Sequence, residues 1–240
     1  MWKPGRASIR RCSGVYLTVK RILDFLLALL ALVILIVPLA IIMIALRFSG
    51  EGEVFYRQVR IGFHNSTFGI WKFATMLKDS PNIGTGSLTV RGDPRVTRVG
   101  RVLRATKINE LPQLINVLTG EMSFVGPRPQ MKVDFDIYPE HVRDTIYNAR
   151  PGVTGIGSVV FRDEERLLSQ PGVDPRVFYE EKIAPYKGAL EMWYLDRRSL
   201  LTDLRLVVLT AWVVFVPEST IVYRTFTDLP PKPDWLTLRS

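Results

Sequence analysis

Residues 106–129, Thr-Lys-Ile-Asn-Glu-Leu-Pro-Gln-Leu-Ile-Asn-Val-Leu-Thr-Gly-Glu-Met-Ser-Phe-Val-Gly-Pro-Arg-Pro, decide the reading of this chain. Leu111, Leu114, Ile115 and Leu118 recur at helical spacing, as on the apolar face of a helix. Pro112 fits the first turn, where its missing N–H costs nothing. Asn109 then falls near the N-cap, a position that favours Asn or Asp because the side chain accepts a free backbone N–H. Gly120 closes the helix. Beyond Met122 to Val125, Gly126-Pro127-Arg128-Pro129 forms a stiff, extended loop. Prolines on both sides of an arginine reduce the entropy lost on binding.

Working outward, Arg98 to Arg104 begins another helical stretch. Earlier, Glu53 to Arg60 alternates in character and His64 to Met76 is rich in aromatic and β-branched residues, with Gly62 and His64-Asn65-Ser66 between them. That pattern predicts a short hairpin. Residues 79–92, with Pro81, Gly84, Gly86 and Gly92, read as a loop. Arg150-Pro151-Gly152-Val153-Thr154-Gly155 is a second turn-rich motif. Residues 175–197 suggest an amphipathic helix. Leu204 to Val216, too short to span a membrane comfortably, reads as a core helix first and as a helix in the membrane interface with Trp212 second. Asp228 to Ser240 is Pro-rich and expected to be extended or frayed.

Near the N-terminus, Phe25 to Leu46 supplies 22 residues without a charge, enough for a helix to cross a hydrocarbon core of about 30 Å. The run exceeds a signal-peptide apolar region and lacks a small-residue cleavage site. Pro38 removes a backbone donor and predicts a kink. Physics alone favours a kinked span over a helix that turns back.

Lys3, Arg6, Arg10, Arg11, Lys20 and Arg21 precede the first acid, Asp24; without those six, 26 basic residues face 23 acidic ones. A basic leader beside an apolar run suits an anionic cytoplasmic membrane face. Nucleic acid is the weaker explanation, since no recognition motif accompanies the charge. Cys12 stands alone, which excludes an internal disulfide and a multi-cysteine zinc site. About 190 residues remain beyond the apolar segment, enough for one domain with a core.

Phosphate recognition uses Arg and Lys near turns and helix starts. Lys72, Arg95, Arg104, Lys107, Arg128 and Arg150 fit, several beside glycine or proline. Glu110, beside Asn109, reads from its position as a first-turn acid that favours the helix dipole.

Several motifs occur in a telling order. They are Lys20-Arg21-x-x-Asp24, residues 55–62 (Phe-Tyr-Arg-Gln-Val-Arg-Ile-Gly), residues 71–76 (Trp-Lys-Phe-Ala-Thr-Met), residues 93–100 (Asp-Pro-Arg-Val-Thr-Arg-Val-Gly), the 106–129 stretch and residues 150–155. With this set the chain resembles the bacterial sugar transferases, monotopic phosphoglycosyl transferases that act on polyprenyl phosphate. The resemblance implies an α/β chain, mainly helical with a small β-hairpin. A basic leader (1–21) would precede a re-entrant membrane helix broken at Pro38 (22–48). A catalytic domain (49–225) and a Pro-rich tail (226–240) would follow.

The resemblance also implies transfer of a sugar 1-phosphate from a UDP-sugar to undecaprenyl phosphate, with release of UMP. This would start an exopolysaccharide, O-antigen or capsule unit. Mg²⁺ is the implied cofactor, with Glu110 its best candidate ligand. The domain would face the cytoplasm from the inner membrane, in contact with membrane lipids and without nucleic acid; a homo-oligomer is compatible with it. Lys72, Arg95, Arg104, Lys107, Pro127, Arg128, Pro129 and Arg150 would bind substrate, while Lys20, Arg21, Asp24 and Pro38 would serve the membrane segment.

The chain departs from the family pattern where it matters most. Asn109 stands in place of the usual nucleophilic Asp, Val37 in place of a serine before Pro38, and Ala74 in place of an arginine. Gln130 stands where an acid often follows. Three readings stay open: Glu110 as nucleophile, direct transfer assisted by Glu110, or a silent scaffold that binds lipid and nucleotide sugar.

Overall fold

The structure, a computed structural model, describes residues 13–80, 88–216 and 219–236. Most of the basic leader (residues 1–12, with Cys12) and residues 81–87 of the loop read at 79–92 lie outside the described residues.

The first element is α1 (Gly14–Arg47), about 50 Å long at 1.5 Å per residue. Pro38 lies inside it and helical structure runs through that position. A proline deletes one helical hydrogen bond, which a long apolar helix absorbs. The helix is long and apolar enough to cross a membrane. Its buried residues fall on both sides of Pro38: Asp24 and Ala28 before it, Leu46 after it. Ala28 joins Leu114, Val117 and Met122, and Leu46 joins Phe73 and Leu103. Both halves of α1 therefore dock on the same domain.

That domain is mainly helical with a small antiparallel hairpin, as expected. Strands β1 (Phe55–Ile61) and β2 (Thr67–Phe73) pair from Phe55↔Phe73 to Ile61↔Thr67. His64 and Asn65 at the turn adopt the left-handed region, one that Asn and His visit more readily than most residues. Helix α2 (Arg98–Ala105) is capped by the Thr97 hydroxyl, which accepts the Gly100 N–H. Helix α3 (Gln113–Thr119) and strand β3 (Ser123–Val125) come next, followed by α4 (Lys132–Phe135) and α5 (Glu140–Ile146). Strand β4 (Gly152–Thr154) pairs in parallel with β3.

Helices α6 (Ile156–Val160), α7 (Glu164–Leu168) and α8 (Pro175–Phe178) lead into α9 (Ala184–Arg197) through one π turn, Tyr179–Ile183. The wider turn precedes Pro185, whose ring clashes with the carbonyl four residues earlier in a regular helix. Helices α10 (Leu200–Phe215) and α11 (Ile221–Thr225) close the fold.

Three sequence expectations need correction. Asn109 is not an N-cap: α3 begins two residues beyond a 3₁₀ turn, Ile108–Glu110, and Asn109 sits inside that turn. Lys107, left-handed at φ 60°, reverses the chain between α2 and the turn. Helix α10 is not a core helix. It buries Leu206, Leu209 and Val213 but leaves Leu204 60% and Phe215 86% exposed. Nor is the described part of the tail frayed: Phe226, Leu229 and Leu236 enter the main core, and Trp235 packs against Phe161, Phe178 and Tyr186.

Candidate active site

Glu110 closes the 3₁₀ turn, and two distant segments bring cations to it. Arg128 Nη2 donates to Glu110 Oε1 at 2.7 Å and Nη1 to Oε2 at 3.4 Å. Lys72 Nζ, from β2, lies 3.8 Å from Glu110 Oε1. Burial alone would raise the Glu110 pKa; the charges of Arg128, Lys72 and Lys107, in that order, outweigh it and hold the carboxyl well below its usual range. Glu110 in turn raises Arg128. Burial, reinforced by Arg60 and Arg128, lowers Lys72 to about 7 despite Glu110. Burial lowers Lys107 too.

The Gly126-Pro127-Arg128-Pro129 loop is held from several sides. Gly126 N donates to Thr154 O at 3.0 Å and Gly152 N to Pro127 O at 2.9 Å. A Cβ on Gly126 would stand 2.3 Å from Arg150 O, and one on Gly152 would stand 2.1 Å from Gly126 N. Only glycine lets these two motifs touch backbone to backbone. The Tyr147 hydroxyl donates to Arg128 O and accepts from Gln130 N, both at 2.9 Å. Arg60 Nη1 reaches Pro129 O at 3.4 Å. Arg128 N lies 3.5 Å from Glu191 Oε1.

Glu191 on α9 is 1% exposed, and burial raises its pKa to about 7. Its Oε2 is buried without a hydrogen-bond partner. Gly157 makes room for it, since a Cβ there would meet Glu191 Oε1 at 2.5 Å. Beside it Lys187 pairs with Glu164 at 2.5 Å. Asn109 is 5% exposed and its Oδ1 is likewise buried and unpartnered.

The structure thus gathers Lys72, Lys107, Glu110 and Arg128, with Asn109 next in sequence to Glu110. Arg104 pairs with Glu165 at 2.7 Å and is close enough to lower Lys72 further. Two expected phosphate binders are committed elsewhere. Arg95 is buried against Asp93, with bonds of 2.6–3.1 Å, and also donates to Ser80 O and Leu88 O. Arg150 Nε donates to Gly120 O at 2.8 Å and its guanidinium stacks on Phe63.

Arg150 shares the C-terminus of α3 with Arg21, which donates to Val117 O and Leu118 O. Each cation there satisfies free carbonyls and opposes the helix dipole by about 0.3–1 kcal/mol. Lys20 pairs with Asp203 at 2.6 Å, and Asp24 Oδ1 accepts the Phe124 N–H at 3.1 Å. Of the four residues read as membrane determinants, Lys20, Arg21 and Asp24 bind α1 to the domain.

Tyr147, Glu191 and Asp203 went unread in the sequence, and Arg60 entered only as part of the motif at residues 55–62. Glu191 and Asp203 did leave a signal, each being an acid inside an apolar stretch, where a charge persists only if it is paired or functional. The residues around Glu110 do not fit a resident magnesium ion. Such an ion needs uncommitted oxygen donors, whereas both Glu110 oxygens face Arg128 and three cations surround the group. Among the described residues no group of three or more His, Cys, Asp or Glu side chains could hold a metal.

The arrangement offers a carboxylate kept ionised by the cations around it, beside a loop held by backbone hydrogen bonds. Known proteins are similar to this chain in sequence. A UDP-glucose:undecaprenyl-phosphate glucose-1-phosphate transferase of Caulobacter vibrioides is 37% identical over 195 residues, 80% of this chain and 67% of that protein. The protein of the same name from Escherichia coli is 34% identical over 86% of this chain but only 42% of its own length. The exopolysaccharide production protein ExoY of Sinorhizobium fredii is 33% identical over 85% of this chain and 87% of its own. The family model described as bacterial sugar transferase matches residues 15–217, so the chain belongs to the bacterial sugar transferase family.

Proposed function

We propose that this chain transfers a sugar 1-phosphate from a UDP-sugar to undecaprenyl phosphate at the cytoplasmic face of the inner membrane, as an opening step of extracellular glycan assembly. The observation that carries the proposal is the ionised, buried Glu110 ringed by Arg128, Lys72 and Lys107. Held far below its usual range, this carboxylate is a poor general base but needs no deprotonation to act as a nucleophile. Donor phosphates compete for Arg128 and Lys72 and draw them off one carboxylate oxygen. That oxygen attacks the phosphorus bonded to the sugar. The bond from this phosphorus to UMP breaks, and the electron pair leaves on the UMP phosphate oxygen. An oxygen of undecaprenyl phosphate then attacks the same phosphorus and releases Glu110, with no net proton transfer.

Two features of α1 and α10 support the membrane arrangement. Asp24 precedes the apolar run and Leu46 ends it, and both are buried against one domain, which supports a helix with both ends on the cytoplasmic side. The exposed apolar face of α10, with Leu204, Val208 and Trp212, suits the membrane interface. In a Cys12→Ser background, Ser49→Cys should react with an impermeant thiol reagent only from the cytoplasmic side; periplasmic labelling contradicts the re-entrant reading.

A second reading, donor binding without turnover, draws on Asn109 and on the ion pairs that already occupy both Glu110 oxygens. The purified protein in nanodiscs, given undecaprenyl phosphate and a panel of UDP-sugars, separates the two. UMP release supports the transferase; donor binding without UMP supports the scaffold.

A further inference from the structure

We infer that this chain neutralises its donor's pyrophosphate with side-chain cations, Lys72, Lys107 and Arg128, and binds it without a divalent metal ion. The inference rests on the donor class proposed above and concerns how that donor is held. Arg128, Lys72 and Lys107 surround one carboxylate at Glu110, an excess of two charges once Lys72 is fully protonated. A nucleotide-sugar pyrophosphate brings roughly two negative charges, so the site and its ligand balance without a third partner.

A dication would meet the opposite situation. It would have to displace Arg128 from at least one Glu110 oxygen and sit beside Lys72, 3.8 Å from the same carboxylate. The adjoining Asn109 contributes a neutral amide. Its buried, unpartnered Oδ1 suits an N–H or O–H donor better than it suits a metal lacking other free ligands. Each cation also has a built anchorage. Lys72 sits within β2 and Lys107 at the left-handed reversal before the 3₁₀ turn. Arg128 lies on a loop pinned by Tyr147, with Glu191 beside its backbone. Such a cradle is fixed before the ligand arrives, which lowers the entropic cost of binding. Burial holds Lys72 near half-protonation, and an arriving anion restores its full charge.

The test uses the full chain in nanodiscs of zwitterionic lipid, with UDP and Mn²⁺ as probes. UDP affinity by calorimetry should change by less than about threefold between EDTA and excess Mg²⁺, and Lys72→Gln or Arg128→Gln should weaken it about tenfold or more. By electron paramagnetic resonance the wild type should retain no more Mn²⁺ than empty nanodiscs, whereas Asn109→Asp, which adds a second carboxylate, should retain it. Loss of UDP binding in EDTA, Mn²⁺ retention by the wild type, or no UDP binding in either condition overturns the inference. UDP binding in EDTA without UMP release from any UDP-sugar removes the transferase reading and leaves this one standing. UMP release that stops on chelation does the reverse.

Discussion

Arg128 and Glu110, 18 residues apart in sequence, meet through two hydrogen bonds of 2.7 and 3.4 Å, and this contact joins the two halves of the site. Glu110 belongs to the turn before α3 and Arg128 to the loop after β3. Removing Arg128 leaves a largely buried carboxylate short of its main partner. Arg128 is about a third exposed, so the cost falls below the 3–5 kcal/mol of a fully buried pair, at about 1–3 kcal/mol. Arg128→Ala should lower stability by that amount in thermal unfolding, and adding Glu110→Gln should recover part of it. Additive losses would mean the two side chains are not coupled.

Lys72 sets a pH dependence. Burial holds the free side chain at about 7, and a bound anion raises it. The complex therefore holds more protons than the free site, and donor affinity is greatest below pH 7. It should fall as pH rises through 7, by at most about tenfold per pH unit. Calorimetry in buffers of different ionisation heat should report proton uptake on UDP binding above pH 7. Lys72→Gln should abolish the uptake.

Tyr147 fixes the Arg128 loop through two backbone groups. Tyr147→Phe keeps the ring stacked on Phe135 but leaves the Gln130 N–H and the Arg128 carbonyl without the hydroxyl. The expected cost is about 1–3 kcal/mol of stability. Loss of loop order should lower kcat more than it raises KM. A change in KM alone would show that the loop only binds donor.

Asp203 gathers the Tyr16 and Tyr194 hydroxyls at 2.9 and 2.7 Å and the Lys20 ammonium at 2.6 Å. Asp203→Ala should cost about 1–3 kcal/mol, because a partly buried Lys20 is left without its partner. The start of α1 should then become open to trypsin at Lys20 and Arg21. An unchanged digestion pattern would show that Arg21 and Asp24 suffice to seat the helix.

How far the sequence could be read follows from how local each feature is. The β1–β2 hairpin, the closure of α3 at Gly120 and the apolar length of α1 depend on residues close in sequence, and all are legible there. Lys72, Lys107 and Arg128 were also recognisable as candidate cations, Arg128 most clearly because Pro127 and Pro129 flank it, and Glu110 through its place in the family motif. Arg95 and Arg150 look the same in sequence but are drawn away by Asp93 and by the C-terminus of α3. Nothing near them in the chain reveals the second of those partners. The exposed side of α10 was misjudged for a related reason: an apolar helix can face a core or a membrane, and composition alone does not distinguish them. Docking of the tail depends on Trp235 meeting Phe161 and Tyr186, contacts that close over dozens of residues.

The most direct test of the central claim, that Glu110 is the nucleophile, is single-turnover UMP release without acceptor lipid. Wild type, Asn109→Asp and Glu110→Gln would run in parallel with a UDP-sugar labelled in the sugar phosphate. Wild type should release about one UMP per active site and retain the label on the protein, and Glu110→Gln should do neither. Release and labelling that persist in Glu110→Gln, or that occur only in Asn109→Asp, would contradict the account.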